Sequence, residues 1–281
     1  MEKLVVIGLG LIGGSLALDL KKRNGYNVYG IDTNPIHIKK ALELGVIDEE
    51  IDFSQLADAD VVIVAVPVNL IGVITGKVLD IVSENTLVFD VGSVKNEICK
   101  TISNHPKRKN FVAAHPLAGT EFSGPEAAIL NLFDEKVNII CEADKTNWKI
   151  LDKAISLFKL LNMRIKMMNP VEHDRHIAYV SHLSHVSSFM LGKTVLEIEK
   201  NEEAIFDMAS TGFASTVRLA KSSANTWTPI FLENKENIIQ SLNEYIKNLV
   251  EFKKMIESND GEALSETMNS ANYIKSILKG L

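Results

Sequence analysis

Three glycines, Gly8, Gly10 and Gly13, stand in G-x-G-x-x-G spacing, and Asp32 follows near the roughly 20 positions at which an acid meets a ribose. Each has a task in holding a dinucleotide. Gly8 allows a tight strand-to-helix turn. Gly10 lets the backbone approach a pyrophosphate, and Gly13 lets the helix lie close to the strand. Leu11 and Ile12 belong to the same turn and count among the cofactor contacts. The helix N-terminus adds free N–H groups and a partial positive charge. A carboxylate at Asp32 accepts hydrogen bonds from the 2′-hydroxyl of NAD and repels the 2′-phosphate of NADP. No arginine follows it in Asp32-Thr33-Asn34-Pro35, so NAD is the expected cofactor.

Three further clusters carry candidate chemistry. His115 ends an apolar run and opens a long polar, glycine-bearing loop, 116–133. Its near-neutral pKa suits removal of a proton from an alcohol during hydride transfer, while a loop-capping role uses the same ring nitrogens. Residues 170–199 hold His173, His176, His182 and His185. At about 100° per residue, His182 and His185 project about 60° apart on one face, with His173 and His176 pointing elsewhere. Substrate contact or interface packing fits this spacing better than a metal, because Leu183-Ser184 supplies no glutamate for a zinc helix; no metal site is expected. Arg218, in a mildly apolar stretch read as a helix, is either an anion anchor or a surface ion pair.

The elements that must position these residues follow from the apolar pattern. Continuous apolar strands are expected over 4–7, 28–31, 61–66, 86–91, 111–114, 136–141 and 163–168. Helices are expected between them, including 94–103 and 146–161. Strands buried on both faces and alternating with helices indicate a doubly wound, mostly parallel α/β sheet of Rossmann type. Ligands of such sheets sit at the carboxyl ends of the strands, which points to Gly8–Gly13, Asp32, Pro67, Gly92-Ser93 and His115-Pro116. After Asn169-Pro170 the pattern turns all-helical, over 170–199, 201–209, 214–224, 229–257 and 261–278. The reading is a nucleotide-binding domain, 1–168, and a helical domain, 169–281. Phe189, Met190, Leu191, Ile230, Phe231 and Leu249 exceed what a small surface needs, so a homodimer through the helical domain is expected.

Composition sets the remaining bounds. Apolar content of 46% and charged content of 23% are those of a water-soluble fold, and a net charge of −6 implies no general affinity for nucleic acid. Cys99 and Cys141 form no motif, which fits a reduced, cytoplasmic setting. The only secretory-signal candidate, the apolar start of the chain, carries glycines and Asp19 and lacks a cleavage site. No other run is long enough to cross a membrane.

Taken together, the clusters resemble the prephenate dehydrogenase family of tyrosine biosynthesis. The matching motifs are GLGLIGGS at 8–15, YGIDTNP at 29–35, DVGSVK at 90–95, HPLAGTEFSGPE at 115–126, SHLSH at 181–185, and RLAKSSANTW with PIFLENKEN within 218–237. The resemblance implies a Rossmann domain joined to a helical dimerisation domain. It implies NAD-dependent oxidative decarboxylation of prephenate, or of arogenate, with hydride leaving the hydroxyl-bearing ring carbon and aromatisation driving the step. It places His115 on the ring hydroxyl and Ser93 near that hydroxyl and the nicotinamide. Arg218 falls on a substrate carboxylate, His185 in the pocket, Thr120 and Glu121 at its border, and Trp227 beside it; Pro67 joins the cofactor residues. Ser215 stands where some relatives carry an acid, which removes an acid-based gate at that point. No fused chorismate mutase and no regulatory domain are expected in this chain.

Overall fold

The computed structural model describes residues 2–199 and 208–278. Strands β1 (Lys3–Ile7), β2 (Asn27–Ile31), β3 (Glu49–Glu50), β4 (Val61–Val64), β5 (Leu87–Asp90), β6 (Phe111–Pro116), β7 (Val137–Cys141) and β8 (Arg164–Met168) form one sheet in the order β3-β2-β1-β4-β5-β6-β7-β8. Helices α1 (Leu11–Asn24), α2 (Pro35–Glu43), α3 (Val68–Ile81), α4 (Asn96–Ile102) and α5 (Trp148–Leu160) connect them. Pairing from β3 through β6 is parallel, whereas β7 runs antiparallel to β6, with Ala114 opposite Ile140. The antiparallel turn follows from the chain's route: the loop after β6 returns to the sheet with no crossover helix.

Alternate residues of each central strand enter opposite cores. Leu4, Val6, Val61, Ile63, Leu87 and Phe89 pack on one face. Val5, Ile7, Val62, Val64 and Val88 pack on the other. This is why these strands are apolar at every position. The helix expected from residue 94 begins only at Asn96, because Val94 and Lys95 are drawn into the core. The two-residue β3 is too short to show as an apolar run.

Beyond β8 the chain is helical: α6 (Pro170–Ile177), α7 (Leu183–Glu199), α8 (Thr211–Thr216), α9 (Ala224–Glu233), α10 (Lys235–Glu257), α11 (Gly261–Ala271) and α12 (Ile274–Ile277). The helix expected over 170–199 is interrupted by one π-helical segment, Ala178–His182. The one expected over 214–224 is replaced by the short α8 and a 3-10 turn at Arg218–Lys221. Pro229 lies inside α9 and does not open a helix, and Asn234 separates α9 from α10. The helix expected over 201–209 falls largely outside the described residues.

The chain forms two compact units that part between Lys235 and Glu236. In the first unit, α6 packs on α4 and α9 on α3. Ile230 is buried in the core below α9, so it serves its own fold and not a partner subunit, contrary to the sequence expectation. In the second unit, Thr267 of α11 meets the Met255 sulfur of α10 at 3.7 Å. Among the described residues no helix is long and apolar enough to cross a membrane.

Candidate active site

The carboxyl ends of β1, β4, β5 and β6 lie along one edge of the sheet, and the site residues gather there. After β1, Gly8 takes φ +95°, and a Cβ on it would lie 2.4 Å from the carbonyl oxygen of Ala65 beyond β4. At Gly13 a Cβ would lie 2.1 Å from the Gly8 carbonyl oxygen. Only glycine fits either position. Gly10 differs: a Cβ there would meet nothing within 4 Å, so its outer side is open. Leu11 begins α1 and Ile12 follows it, with no side chain capping the helix. The turn therefore presents N–H groups and room for a phosphate, and it fits a dinucleotide.

Asp32 ends β2 beside this turn. Its Oδ2 accepts from the Leu9 backbone N–H at 2.8 Å and its Oδ1 from that of Asn34 at 2.8 Å. Those bonds aim the carboxylate and leave further lone pairs for a ribose. Pro67 stands exposed before α3.

On the substrate side, Asp90 and Lys95 are fully buried and form an ion pair. Asp90 also accepts from the backbone N–H groups of Gly92 and Ala114. Burial pushes its carboxyl up, against the pull of Lys95 and those two bonds. The Lys95 ammonium donates to the Ala114 carbonyl at 2.6 Å, which ties β5 to the residue before His115. Ser93, between the two in sequence, is half-buried.

His115 is buried at the end of β6. Its Nδ1 lies 2.8 Å from Nε2 of His173, with the rings edge to face. His173 in turn places Nδ1 2.7 Å from Asp174 Oδ1. Asp174 accepts as well from the backbone N–H groups of Lys95 and Asn96, at 2.8 and 2.9 Å. Burial holds His115 well below the ordinary histidine pKa, assisted by the nearby His173, Lys95 and His182. His173 does not point away from the site, as helical spacing suggests. The π-helical segment changes the phase between α6 and α7, so residues of both reach one cluster.

His182 is buried in that segment. Asn234 lies between it and α6: its amide nitrogen donates to the Asp174 carbonyl at 2.7 Å and lies 3.1 Å from His182 Nδ1. Burial lowers the His182 pKa to about 4. His185, also lowered by burial, stacks on Trp227 with ring centroids 3.4 Å apart. Trp227 meets His182 edge to face.

Arg218 is not enclosed in this chain. It sits on a 3-10 turn with 54% of its side chain exposed, 3.6 Å from the carboxylate of Glu121, whose side chain is 22% exposed. Glu121 and the exposed Thr120 belong to the loop after His115. That loop is anchored on the cofactor helix, where Ile129 donates its N–H to Ser15 Oγ and Asn131 to Asp19. Thr120, Phe122 and Ile129 line an open cavity of about 400 Å³ there. The structure thus links His115 to His173 at the end of β6, His185 to Trp227, and Arg218 to Glu121 of the loop after β6, while Ser93 follows β5. Sequence reasoning does not single out Lys95, Asp174 or Asn234, and it turns His173 away from His182 and His185.

The comparisons agree with this architecture. Residues 16–167 match the family described as prephenate dehydrogenase, nucleotide-binding domain, and residues 169–270 match prephenate dehydrogenase, dimerization domain. The chain is 32% identical to a prephenate dehydrogenase of Bacillus subtilis, over 96% of this chain and 74% of that protein. It is 30% identical to a cyclohexadienyl dehydrogenase of Zymomonas mobilis, over 99% and 96%. The crystal structure of A. aeolicus prephenate dehydrogenase in complex with hydroxyphenyl propionate and NAD+ superposes with a TM-score of 0.90 at 33% identity, covering 99% of this chain and 98% of that one. With both domain families matched in order along one sheet-plus-helices fold, the chain belongs to the prephenate dehydrogenase family.

Proposed function

We propose that this chain catalyses NAD-dependent oxidative decarboxylation of prephenate to 4-hydroxyphenylpyruvate, in tyrosine biosynthesis, with His115 as the proton acceptor. The observation that carries this reading is the state of His115. It is buried at the carboxyl edge of the parallel strands and held neutral, and it bonds a neighbour through Nδ1. Nε2 is then the nitrogen left for a substrate. Such a group accepts a proton at neutral pH.

Gly8, Gly10, Leu11, Ile12, Gly13, Asp32 and Pro67 would hold NAD, which when bound accepts hydride from the hydroxyl-bearing ring carbon. As that carbon loses hydride, His115 takes the hydroxyl proton. Carbon dioxide then departs, its bonding pair enters the ring, and the phenolate oxygen recovers the proton from His115. The overall reaction releases no proton. Ser93 supplies a hydroxyl beside the reacting carbon. Arg218 binds a substrate carboxylate through its two-pronged guanidinium, exchanging Glu121 for the ligand. His185, stacked on Trp227, lines the pocket, and Thr120 and Glu121 border it.

The functional division falls near residue 168, a reading supported by the junction of the two matched families. Pairing of two chains through the helical part is supported by the dimerization-domain match and by the exposed apolar side chains of Met190, Leu191, Leu196 and Leu249. A cytoplasmic location is supported by Cys99 and Cys141, which are buried and unpaired with each other.

Incubation with NAD and either prephenate or arogenate, followed by product analysis, tests the reaction. The expected outcome is 4-hydroxyphenylpyruvate formed faster than tyrosine from arogenate. The reverse ratio would reassign the substrate, and neither product would overturn the reading.

A further inference from the structure

His115 can accept a proton only if Nε2 carries none, and in a buried neutral imidazole that depends on which tautomer is present. The site contains a device for choosing it. Asp174 uses both oxygens to accept: Oδ1 takes the Lys95 backbone N–H at 2.8 Å and Oδ2 that of Asn96 at 2.9 Å. A carboxylate so engaged has no proton to give. His173 Nδ1, 2.7 Å from Oδ1, must therefore be the donor in that contact. A neutral His173 protonated on Nδ1 has a bare Nε2. That nitrogen faces His115 Nδ1 at 2.8 Å, so the single proton between the rings belongs to His115. His115 Nε2 is then left with its lone pair.

We propose that Asp174 and His173 act as positioning residues that fix His115 in the Nδ1-protonated tautomer and so make Nε2 the base. This rests on the functional reading above. The same chain of bonds serves a second purpose. When His115 takes the substrate proton it becomes an imidazolium, and the lone pair on His173, backed by the Asp174 carboxylate, stabilises that charge within a buried cluster. The competing arrangement has His173 as an imidazolium donating to His115 Nδ1. It would put the His115 proton on Nε2 and remove the base. The position of the single proton on His115 therefore separates the two arrangements.

Nitrogen NMR of isotope-labelled histidine side chains tests the assignment directly, using His115→Asn to identify the His115 signals. The expected result is a His115 protonated on Nδ1 and bare on Nε2 in the unliganded protein. A proton on Nε2 would overturn the proposal. Kinetics supply the second arm. Asp174→Asn and His173→Phe should each lower kcat by about 10²-fold, with the KM for prephenate changed less than about threefold. His173→Phe keeps the ring and leaves Asp174 on its two backbone N–H groups, so it separates the relay from the anchoring of α4. Wild-type kcat in His173→Phe would contradict the relay. A wild-type protein inert on prephenate and arogenate would overturn the functional reading instead, and the tautomer measurement would still decide the relay.

Discussion

The two halves of the candidate site are built from different materials. The cofactor side is made of backbone: Gly8 and Gly13 bring chain segments within contact distance, Gly10 leaves space, and the ligand-facing groups are N–H donors of α1. The substrate side is made of side chains, a line of buried ionisable groups running through Lys95, Asp90, His115, His173, Asp174 and His182. A backbone cradle binds a shape and tolerates solvent. A buried imidazole chain positions a proton through its own hydrogen bonds, and every member depends on its neighbour. On the proposed reading the first therefore governs affinity and the second governs rate.

The largest expected effect falls on the side-chain half. His115→Asn should lower kcat by about 10²–10⁴-fold while dinucleotide affinity, measured by calorimetry, stays at the wild-type value. Unchanged turnover would remove His115 from the role of base. Lys95→Met leaves Asp90 buried without its cation. It should destabilise the fold by about 3–5 kcal/mol in denaturant titration, and a loss below about 1 kcal/mol would show that the pair is dispensable. Arg218→Ala should act on binding, raising the KM for prephenate by about tenfold or more with kcat little altered. A normal KM would make Arg218 only the surface partner of Glu121.

Acidity sharpens the comparison further. Burial lowers His115, so its neutral form persists as pH falls through the ordinary value of 6.5, and kcat should hold across that range before dropping. A rate that fell with an apparent pKa at the ordinary value would mean that His115 is solvated during turnover. Stability should move the other way. Unfolded histidines take protons first, so the fold should lose stability as pH falls below 6.5 and keep losing it toward the value of about 4 held by His182. The smallest effect belongs to the backbone half: Asp32→Ser should narrow the preference for NAD over NADP by about tenfold.

The same contrast explains what the sequence made legible. The cofactor turn lies within one local run, and its glycines report their own spacing. The strands announce themselves because both faces are buried. The substrate side is assembled across distance: His115 and His173 are 58 positions apart, and Lys95 and Asp174 are 79 apart. DVGSVK reads as a motif, yet nothing in it says that Asp90 and Lys95 are buried against each other. His173 and Asp174 sit in a polar stretch that looks like a solvated helix face. Their phase relative to His182 and His185 depends on the π-helical segment at Ala178–His182, which regular 3.6-residue spacing cannot anticipate. Arg218 was legible as an anion-binding type, but its exposure and its Glu121 partner depend on how the His115 loop folds back.

The most direct test of the central claim is the initial rate of NADH formation by purified protein, with NAD or NADP and with prephenate or arogenate in parallel. The account predicts the fastest turnover with NAD and prephenate. No turnover in any combination, from protein that still binds NAD, would contradict it.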